Sequence, residues 1–342
     1  MKLKKYLITG ATVLGVASLT AGVARADHFD DGQWALTAKA LEGKTVAFVP
    51  AAMGFDLPQA WAAAMQHAAD KWGFKFVIRD PNWDVSAGVQ ALSQLVTDKP
   101  DVIIVQPTDP QSYAKLIKKA LDGGIKVVQI NMESVTRGDA YVGSDWYDVA
   151  TTEMDLLDKA CGKNAGKNGK IALITGVPTN PGQMVGTQAI NDKLKQFGDL
   201  EVVATQSADY DATKAHDVTA TILKQHPDLC GIPGTWDGQD VGTAAAISEA
   251  GLTGKVFLVT SGGGRQAAAC DNLENGNYSA YVSYDGKGQG RDLVNAVQML
   301  LQDPSAPGSH PFGTYTPLKI ITKSTLTPGS CWTVDEIKAN GS

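Results

Sequence analysis

Short apolar runs rich in β-branched residues alternate along this chain with longer stretches whose apolar residues recur at helical spacing. The apolar runs lie at residues 45–49, 74–78, 102–105 and 127–130, and again at 171–174, 201–204, 231–233, 256–259 and 280–283. The helical stretches include residues 60–72, 85–96, 113–121 and 215–225. This alternation predicts parallel βαβ units, and the continuously apolar strands indicate sheets covered by helices on both faces.

The units form two series, which predicts an α/β protein of two doubly wound parallel-sheet lobes. The first series ends near Val142-Gly143-Ser144-Asp145, and a new helix begins at about Tyr147. The length agrees with this division, because residues 27–342 exceed what one compact core usually holds. The segment after Thr322 contains Pro, Gly and Ser and is expected to wrap onto the surface.

Aromatic and polar side chains concentrate in the turns after the predicted strands, where open parallel sheets bind their ligands. They are Phe55, Asp56, Trp83, Gln106, Asn131, Tyr210, Trp236 and Asp237. Aromatic planes pack against the apolar C–H faces of sugar-like rings, and hydroxyl groups need fixed donors and acceptors. Aromatic residues in turns can also cover a core, but as a set these residues indicate a cleft for a small polar ligand such as a sugar or polyol.

The first 26 residues have the pattern of an export signal. Lysines precede an apolar region over residues 6–23, and Ala24-Arg25-Ala26 matches the small-x-small pattern of a cleavage site. An N-terminal membrane anchor is the alternative, although no positive cluster follows the apolar region. Because the first cysteine is Cys161, a lipid anchor is not expected. We therefore expect cleavage after Ala26 and a freely diffusing periplasmic protein.

The charge balance argues against two classes of partner. The signal holds four of the 30 basic residues and none of the 36 acidic ones, so residues 27–342 carry 26 basic residues and a net charge near −10. An acidic surface without a basic cluster disfavours nucleic-acid binding. No apolar run after the signal approaches the roughly 20 residues of a membrane span.

Familiar enzyme signatures are missing from the chain. It has no GxSxG, HExxH or Walker loop, and its five histidines form no recognisable dyad. Gly286-Lys-Gly-Gln-Gly290 lacks the third glycine of a dinucleotide fingerprint, because Arg291 stands there. Gly262-Gly263-Gly264 before Arg265 could bind an anion, but a flexible turn is the favoured interpretation. We expect no catalysis, no cofactor and no metal; a secreted hydrolase of a small carbohydrate-like substrate is the opposing hypothesis.

Four cysteines in an exported chain indicate disulfide bonds, because the periplasm is oxidising. They are Cys161, Cys230, Cys270 and Cys331. Four buried thiols are the alternative. A zinc site is disfavoured, since the cysteines are far apart and none forms a CxxC pair.

Five segments occur in an order and at a spacing that resemble one known family. They are Asp101-Val-Ile-Ile-Val-Gln-Pro-Thr-Asp109, Gly124-Ile-Lys-Val-Val-Gln-Ile-Asn131, Val142-Gly-Ser-Asp145, Ser207-Ala-Asp-Tyr-Asp211 and Gly234-Thr-Trp-Asp237. The family's counterparts are NPTD, IPVITLD, SDN, PADFD and AQND. Over residues 44–322 the chain resembles the ribose-type periplasmic sugar-binding family, periplasmic binding protein type I.

The resemblance implies two lobes that close on a ligand and are joined by three crossing segments, near residues 143–145, 282–285 and 313–315. The first lobe would comprise residues 27–143 with 284–313, and the second residues 144–283 with 314–342. Ligand contacts are implied at Gln106, Asn131, Tyr210, Trp236 and Ser261, with Tyr284 near the second crossing and Phe55 and Asp56 in the first loop. The implied partners are a small ligand and the inner-membrane permease of an ABC importer; the family also admits a chemoreceptor, and a monomer is expected.

Departures from the ribose-type pattern affect the expected ligand. This chain has Asn131-Met132 in place of Asp-Arg, Met184 in place of an Arg, and Ser261-Gly262 in place of Phe-Asp. Losing those charges removes charge-assisted hydrogen bonds, the stronger kind. Ribose is therefore a poor candidate, and a short polyol, a deoxy or methylated sugar, or a small non-sugar metabolite fits better.

The crossings also bear on the cysteines, because they put all four in the second lobe. Cys161 and Cys230 would lie at the end remote from the cleft, whereas Cys270 and Cys331 would lie on the fourth-strand helix and the tail. We expect the pairs Cys161–Cys230 and Cys270–Cys331, although four cysteines allow three connectivities.

Overall fold

The computed structural model describes residues 32–341, which fold into two α/β lobes. The expected signal peptide over residues 1–26 lies outside the described residues. Within the described range, every helix is too short or too polar to cross a membrane.

The elements follow the predicted alternation. The strands are β1 (Thr45–Val49), β2 (Lys75–Ile78), β3 (Val102–Val105), β4 (Lys126–Ile130), β5 (Ala140–Gly143), β6 (Lys170–Thr175), β7 (Glu201–Ser207), β8 (Gly231–Pro233), β9 (Phe257–Gly262), β10 (Ala280–Ser283), β11 (Phe312–Tyr315) and β12 (Lys319–Ile321). The helices are α1 (Gln33–Leu41), α2 (Asp56–Trp72), α3 (Val85–Asp98), α4 (Ala114–Asp122), α5 (Trp146–Cys161), α6 (Pro181–Phe197), α7 (Ala212–Gln225), α8 (Asp237–Glu249), α9 (Cys270–Glu274), α10 (Gly286–Gln302) and α11 (Val334–Asn340), with a 3₁₀ turn at Lys163–Ala165.

Each lobe is built on one six-stranded sheet. The strand order in the first lobe is β11-β5-β4-β3-β1-β2, and every neighbouring pair is parallel. The order in the second lobe is β12-β10-β9-β8-β6-β7, in which only the edge strand β12 is antiparallel to its neighbour. The predicted fold of two doubly wound, parallel-dominated lobes is confirmed.

Alternate residues of the central strands face two separate apolar cores. Val46 and Phe48 of β1 belong to the core that contains residues of α2 and α10, whereas Ala47 and Val49 belong to the core of α3 and α4. Side chains on successive strand positions point to opposite faces, so a strand that is apolar at every position needs a helical layer on each side. This burial fixes the strand ends and therefore the turns that follow them.

The chain passes between the two sheets three times: after β5, after β10 and after β11. Residues at these crossings bond to one another. The Thr316 backbone N–H donates to the Gly143 carbonyl at 2.8 Å, and the Gln289 side-chain amide donates to the Ser144 hydroxyl at 3.2 Å. The three crossings therefore lie side by side and form a single hinge region.

Two disulfide bonds join the four cysteines. Cys161, the last residue of α5, pairs with Cys230 just before β8. Cys270, the first residue of α9, pairs with Cys331 in the C-terminal segment. These are the two pairs expected from the order of the elements, and among the described residues no cysteine is free.

The C-terminal segment contacts both lobes. The indole of Trp332 donates to the Gly263 carbonyl of the second lobe at 2.6 Å. Ile337 of α11 and Trp332 form an apolar cluster with Ala60 and Ala64 of α2, in the first lobe. The resemblance to the ribose-type family implies that residues 314–342 belong to the second lobe. Within that stretch, helix α11 also packs on α2 of the first lobe, because burying its apolar side chains there stabilises an otherwise unsupported short helix.

Candidate functional site

A cleft opens between the lobes at the carboxyl ends of the parallel strands. Counted to its open mouth and including the solvent space there, the volume between the lining residues is about 740 Å³. Both lobes contribute to its lining: Phe55, Leu57, Trp83, Gln106, Asn131, Met132, Trp146, Val149, Ala150, Glu153, Asn180, Gly182, Gln183, Gly186, Ile190, Tyr210, Gly234, Thr235, Trp236, Ser261 and Tyr284. Such a cleft can hold one small molecule in contact with both lobes.

Four aromatic side chains form one wall of the cleft, which we call the aromatic wall. Phe55 and Trp83 of the first lobe are stacked, with 5.0 Å between ring centroids. Trp236 of the second lobe lies 5.4 Å from Phe55, edge to face, and 6.1 Å from Trp83. Tyr210 is also edge-on to Trp236, at 6.2 Å. Because the wall joins rings of both lobes, the structure is a closed form.

Constrained turns position the aromatic wall. Trp83 and Tyr210 adopt left-handed backbone conformations, with φ of 69° and 62°. The Trp83 N–H donates to the Ala51 carbonyl at 2.8 Å, and the Tyr210 N–H donates to the Gln239 side-chain oxygen at 2.9 Å. Left-handed geometry is costly for bulky residues and is kept only where the surroundings fix it. Its presence at two residues of the wall indicates turns shaped for a site.

The buried carboxylate of Asp240 supports the turn that carries Trp236. One of its oxygens accepts hydrogen bonds from the backbone N–H groups of Thr235 at 3.0 Å and Trp236 at 3.2 Å. Burial raises the pKa of Asp240 to about 6, and the bond from the Thr260 hydroxyl opposes that rise. Asp240 therefore positions Trp236 without lining the cleft itself.

Amide side chains line the polar part of the cleft. The side-chain oxygen of Gln106 accepts from the Ala51 N–H at 2.9 Å, and that of Gln183 accepts from the Gly176 N–H at 2.7 Å. The side-chain oxygen of Asn180 caps α6. Asn131 differs, because its buried side-chain oxygen has no partner, while its backbone is left-handed with φ of 65°. Asn131 thus presents an unused acceptor at the cleft.

Glu153 of α5 is the one ionisable carboxyl group among the described residues of the cleft lining. It is 3% exposed, and one of its carboxyl oxygens has no hydrogen-bond partner. Burial raises its pKa well above the usual value; a hydrogen bond from Ser261 opposes that rise and the charge of Asp240 adds to it. An acid in this setting can donate a proton or, beside a cation, accept hydrogen bonds as a carboxylate.

Seven of the nine ligand contacts expected from the sequence lie in the cleft lining: Phe55, Gln106, Asn131, Tyr210, Trp236, Ser261 and Tyr284. Asp56 and Asp237 stand behind it as the first residues of α2 and α8. The Asp237 carboxylate accepts a hydrogen bond from the Tyr281 hydroxyl. Gly262 has no room for a side chain, since a Cβ there would meet that carboxylate. The Asp237 side chain is therefore committed to the protein interior.

Sequence reasoning missed the cleft residues that lie on helices. Trp146, Val149, Ala150 and Glu153 of α5 all line the cleft, and their spacing of three, four and seven residues is that of one helical face. This regular spacing identifies one face of the helix, but it does not distinguish a face that lines a cleft from one that covers a core. Met184, matched by spacing to an Arg of the resembled family, is 52% exposed and is not in the lining, whereas its neighbour Gln183 is.

Two α/β lobes, three adjacent crossings and a cleft lined from both sides define the class of two-lobed ligand-binding proteins. Comparison with known proteins identifies the family. The family model described as "Periplasmic binding protein domain" matches residues 46–305, well over half of the chain. The chain belongs to this family.

Relatives of this chain have the names of ligand-binding proteins. The ribose import binding protein of Bacillus subtilis is 27% identical over 247 residues, covering 69% of this chain and 75% of the relative. A putative rhizopine-binding protein of Rhizobium meliloti is 26% identical, covering 74% of this chain and 82% of the relative. A D-ribose/D-allose-binding protein of Pseudomonas aeruginosa is 26% identical; that match spans 52% of this chain but only 56% of the relative's length.

Solved structures share the fold. An ABC transporter solute-binding protein from Burkholderia graminis, in complex with D-arabinose, superposes with a TM-score of 0.76 at 23% identity, covering 85% of this chain and 98% of that one. A solute-binding protein from Bacillus halodurans with bound myo-inositol gives a TM-score of 0.73 at 21% identity, covering 87% and 98%. At these identities the likeness establishes the two-lobed fold.

Proposed function

We propose that this protein is the periplasmic solute-binding component of an ABC importer, and that it binds a small sugar-like or polyol-like molecule between its lobes. The observation that carries the proposal is the aromatic wall, in which Phe55 and Trp83 of one lobe meet Trp236 and Tyr210 of the other. Aromatic planes offer the apolar surface that ring C–H groups need, and the amide side chains beside them offer hydrogen bonds to hydroxyl groups. Two relatives are named for ribose or for ribose and allose, and these names support a sugar-like ligand.

Closure couples binding to recognition by the transporter. A ligand that touches both lobes stabilises the closed arrangement, because an open one provides only half of its contacts. The hinge formed by the three adjacent crossings is where the lobes would rotate. A permease in the inner membrane would then distinguish loaded from empty receptor by the relative position of the lobes, and the receptor would act as a monomer.

No catalytic step belongs to this proposal. Glycoside hydrolysis uses two carboxyl groups on either side of the scissile bond. In the described lining of the cleft, Glu153 has no second carboxyl group opposite it. In this proposal the solute leaves the protein unchanged, and the described lining of the cleft offers the hydrolase hypothesis no such pair of carboxyl groups.

A thermal-shift screen over sugars and polyols, followed by calorimetry of each hit, tests the proposal. A ligand that binds only the native state raises its melting temperature. Trp236→Ala should weaken a hit roughly tenfold or more, because it removes a ring that contacts both lobes. Trp34→Ala is the matched control, since Trp34 is exposed on α1 outside the cleft lining.

The outcome separates a receptor from an enzyme. Chromatography of the released ligand should recover the intact compound. A consumed ligand, or equal affinity of the Trp236→Ala variant and the wild type, would overturn the proposal.

A further inference from the structure

The described lining of the cleft contains an acidic side chain but no basic one. Glu153 is its ionisable carboxyl group, and no Lys, Arg or His occurs among the described residues that line it. A buried carboxylate without a positive partner is strongly unfavourable, so such groups are paired or protonated. Among residues 32–341, the titratable groups that interact with Glu153 are Asp240 and Tyr284, and neither is a cation. A bound ligand would be able to supply the positive charge.

Hydrogen bonding leads to the same conclusion. The lining contains two buried side-chain oxygens without a partner, one on Glu153 and one on Asn131, and both are acceptors. The side-chain oxygens of Gln106 and Gln183 are already occupied by backbone N–H groups. A buried acceptor left unpaired is costly, and N–H donors on a bound ligand would satisfy such oxygens. A protonated primary amine carries three such donors.

The aromatic wall favours a cation as well. Rings of Trp, Tyr and Phe attract an ammonium group to their faces, most strongly where water is excluded. Trp146 and Tyr284 add a further aromatic pair at the hinge side of the cleft, with 5.4 Å between their centroids. Trp146 lies on the same helical face as Glu153. Cationic and apolar parts of one molecule would both find partners here.

We propose that the natural ligand is a small polyhydroxyl compound that carries a protonated amine, an amino sugar or an amino polyol, with its ammonium group bound to Glu153. This inference builds on the proposed receptor function and narrows its ligand class. The hydroxyl-bearing skeleton packs on the aromatic wall, and the amine distinguishes the ligand from the corresponding neutral sugar.

Matched pairs of compounds test the amine directly by calorimetry. The pairs are D-glucosamine with D-glucose, D-galactosamine with D-galactose, and 1-amino-1-deoxysorbitol with sorbitol. N-acetyl-D-glucosamine keeps the nitrogen but removes its charge. The expected result is that an amine binds at least tenfold more tightly than its hydroxyl counterpart, and that acetylation abolishes the difference.

The variant Glu153→Gln separates charge from shape. It should weaken amine binding roughly tenfold to hundredfold, as expected for a lost charge-assisted hydrogen bond, and should weaken the binding of a neutral counterpart by a clearly smaller factor. Glu201→Gln is the control, since Glu201 is exposed at the start of β7, the end of the sheet away from the cleft. Its affinities should equal those of the wild type.

Proton release provides a readout that a purely structural glutamate would not change. Burial raises the pKa of Glu153 in the closed cleft, whereas a bound ammonium group favours the carboxylate, so amine binding should lower that pKa and release protons. Calorimetry in two buffers of different ionisation enthalpy, repeated across a range of pH, should show that release for wild type, and Glu153→Gln should abolish it.

Each alternative outcome has a definite meaning. Neutral compounds that bind as tightly as their amines, with no effect of Glu153→Gln, would overturn the amine proposal and leave the receptor function standing. Binding of no compound of either kind would count against both.

Discussion

The indole N–H of Trp146 donates a 2.6 Å hydrogen bond to the backbone carbonyl of Asn131. The two residues belong to different lobes, since Asn131 follows β4 of the first sheet and Trp146 begins α5, which packs on the second. A bond between lobes stabilises the closed form over any arrangement that separates them. This bond lies beside the first crossing, so it joins the two lobes close to the hinge.

Trp146→Phe should therefore shift the empty protein towards an open form. The substitution keeps an aromatic ring against Tyr284, which now lies 5.4 Å away, but removes the donor. A lost hydrogen bond of this kind is worth about 1 kcal/mol, so affinity should fall roughly fivefold. Small-angle scattering should show a larger radius of gyration without ligand and an unchanged one at saturation. An identical radius and affinity would contradict the role of this bond.

Asn131→Gly should weaken ligand binding without straining the backbone. Asn131 has φ of 65°, a conformation that glycine adopts freely, so the variant isolates the loss of the side-chain amide. Leaving a ligand donor unpaired costs about 1–3 kcal/mol, or roughly a tenfold to hundredfold loss of affinity. Asn82→Gly is the control, because Asn82 also has positive φ, 50°, but is exposed and outside the lining. Equal affinities for both variants, measured by calorimetry, would refute the contact.

The protein should be more stable on the acid side of neutrality. Burial raises the pKa of Asp240 to about 6 from its ordinary 3.8. A carboxyl group with a higher pKa in the folded state binds its proton more tightly there, so the free energy of unfolding falls as pH rises from about 4 through about 6. For this group the loss is on the order of 3 kcal/mol and is complete above pH 7. Burial moves the pKa of Asp56, Glu153 and Asp237 in the same direction.

Melting temperatures between pH 4.5 and 8 check this slope. Asp240→Asn should flatten it, because the variant has no carboxyl group to titrate. Asp228→Asn should not, since Asp228 is exposed and the Lys170 ammonium lowers its pKa. A melting temperature that rises steadily towards pH 8 would contradict the assignment.

The two disulfide bonds should differ in their effect on closure. Replacing both cysteines of either pair by serine should cost about 2–4 kcal/mol of stability, through the loops of 69 and 61 residues that the bonds close. Only the loss of Cys270–Cys331 should also change ligand affinity, because that bond holds a segment that reaches the first lobe. Chemical denaturation and calorimetry of the two double variants, side by side, measure both effects. Equal affinities would show that the C-terminal segment does not influence closure.

The sequence predicted the sheets and the turns of the cleft because both depend on local pattern. Apolar strands such as residues 102–105 are easily recognised in the sequence, and the turns that follow parallel strands lie at one edge of the sheet. The sequence does not predict which way each side chain of a turn points. Trp236 and Asp237 are adjacent, yet one side chain faces the cleft and the other bonds to Tyr281. That choice depends on packing between distant segments, which local pattern does not contain.

Glu153 was missed for a related reason. Its helical face is regular, but a face that covers a core and a face that lines a cleft have the same spacing. Only the position of the opposite lobe decides between them. The unpaired oxygen that makes Glu153 informative is likewise a property of the assembled cleft.

The C-terminal segment has a mechanical consequence. Cys331 is fixed to the second lobe, α11 lies on α2 of the first, and only Trp332 and Thr333 separate the bonded cysteine from the helix. The lobes can move apart only if this two-residue linker bends, or if α11 detaches from α2 and exposes Ile337. The angle through which the lobes can open is therefore limited by a segment outside the residues that line the cleft. Inserting residues into the linker would increase that angle without altering any side chain that contacts the solute.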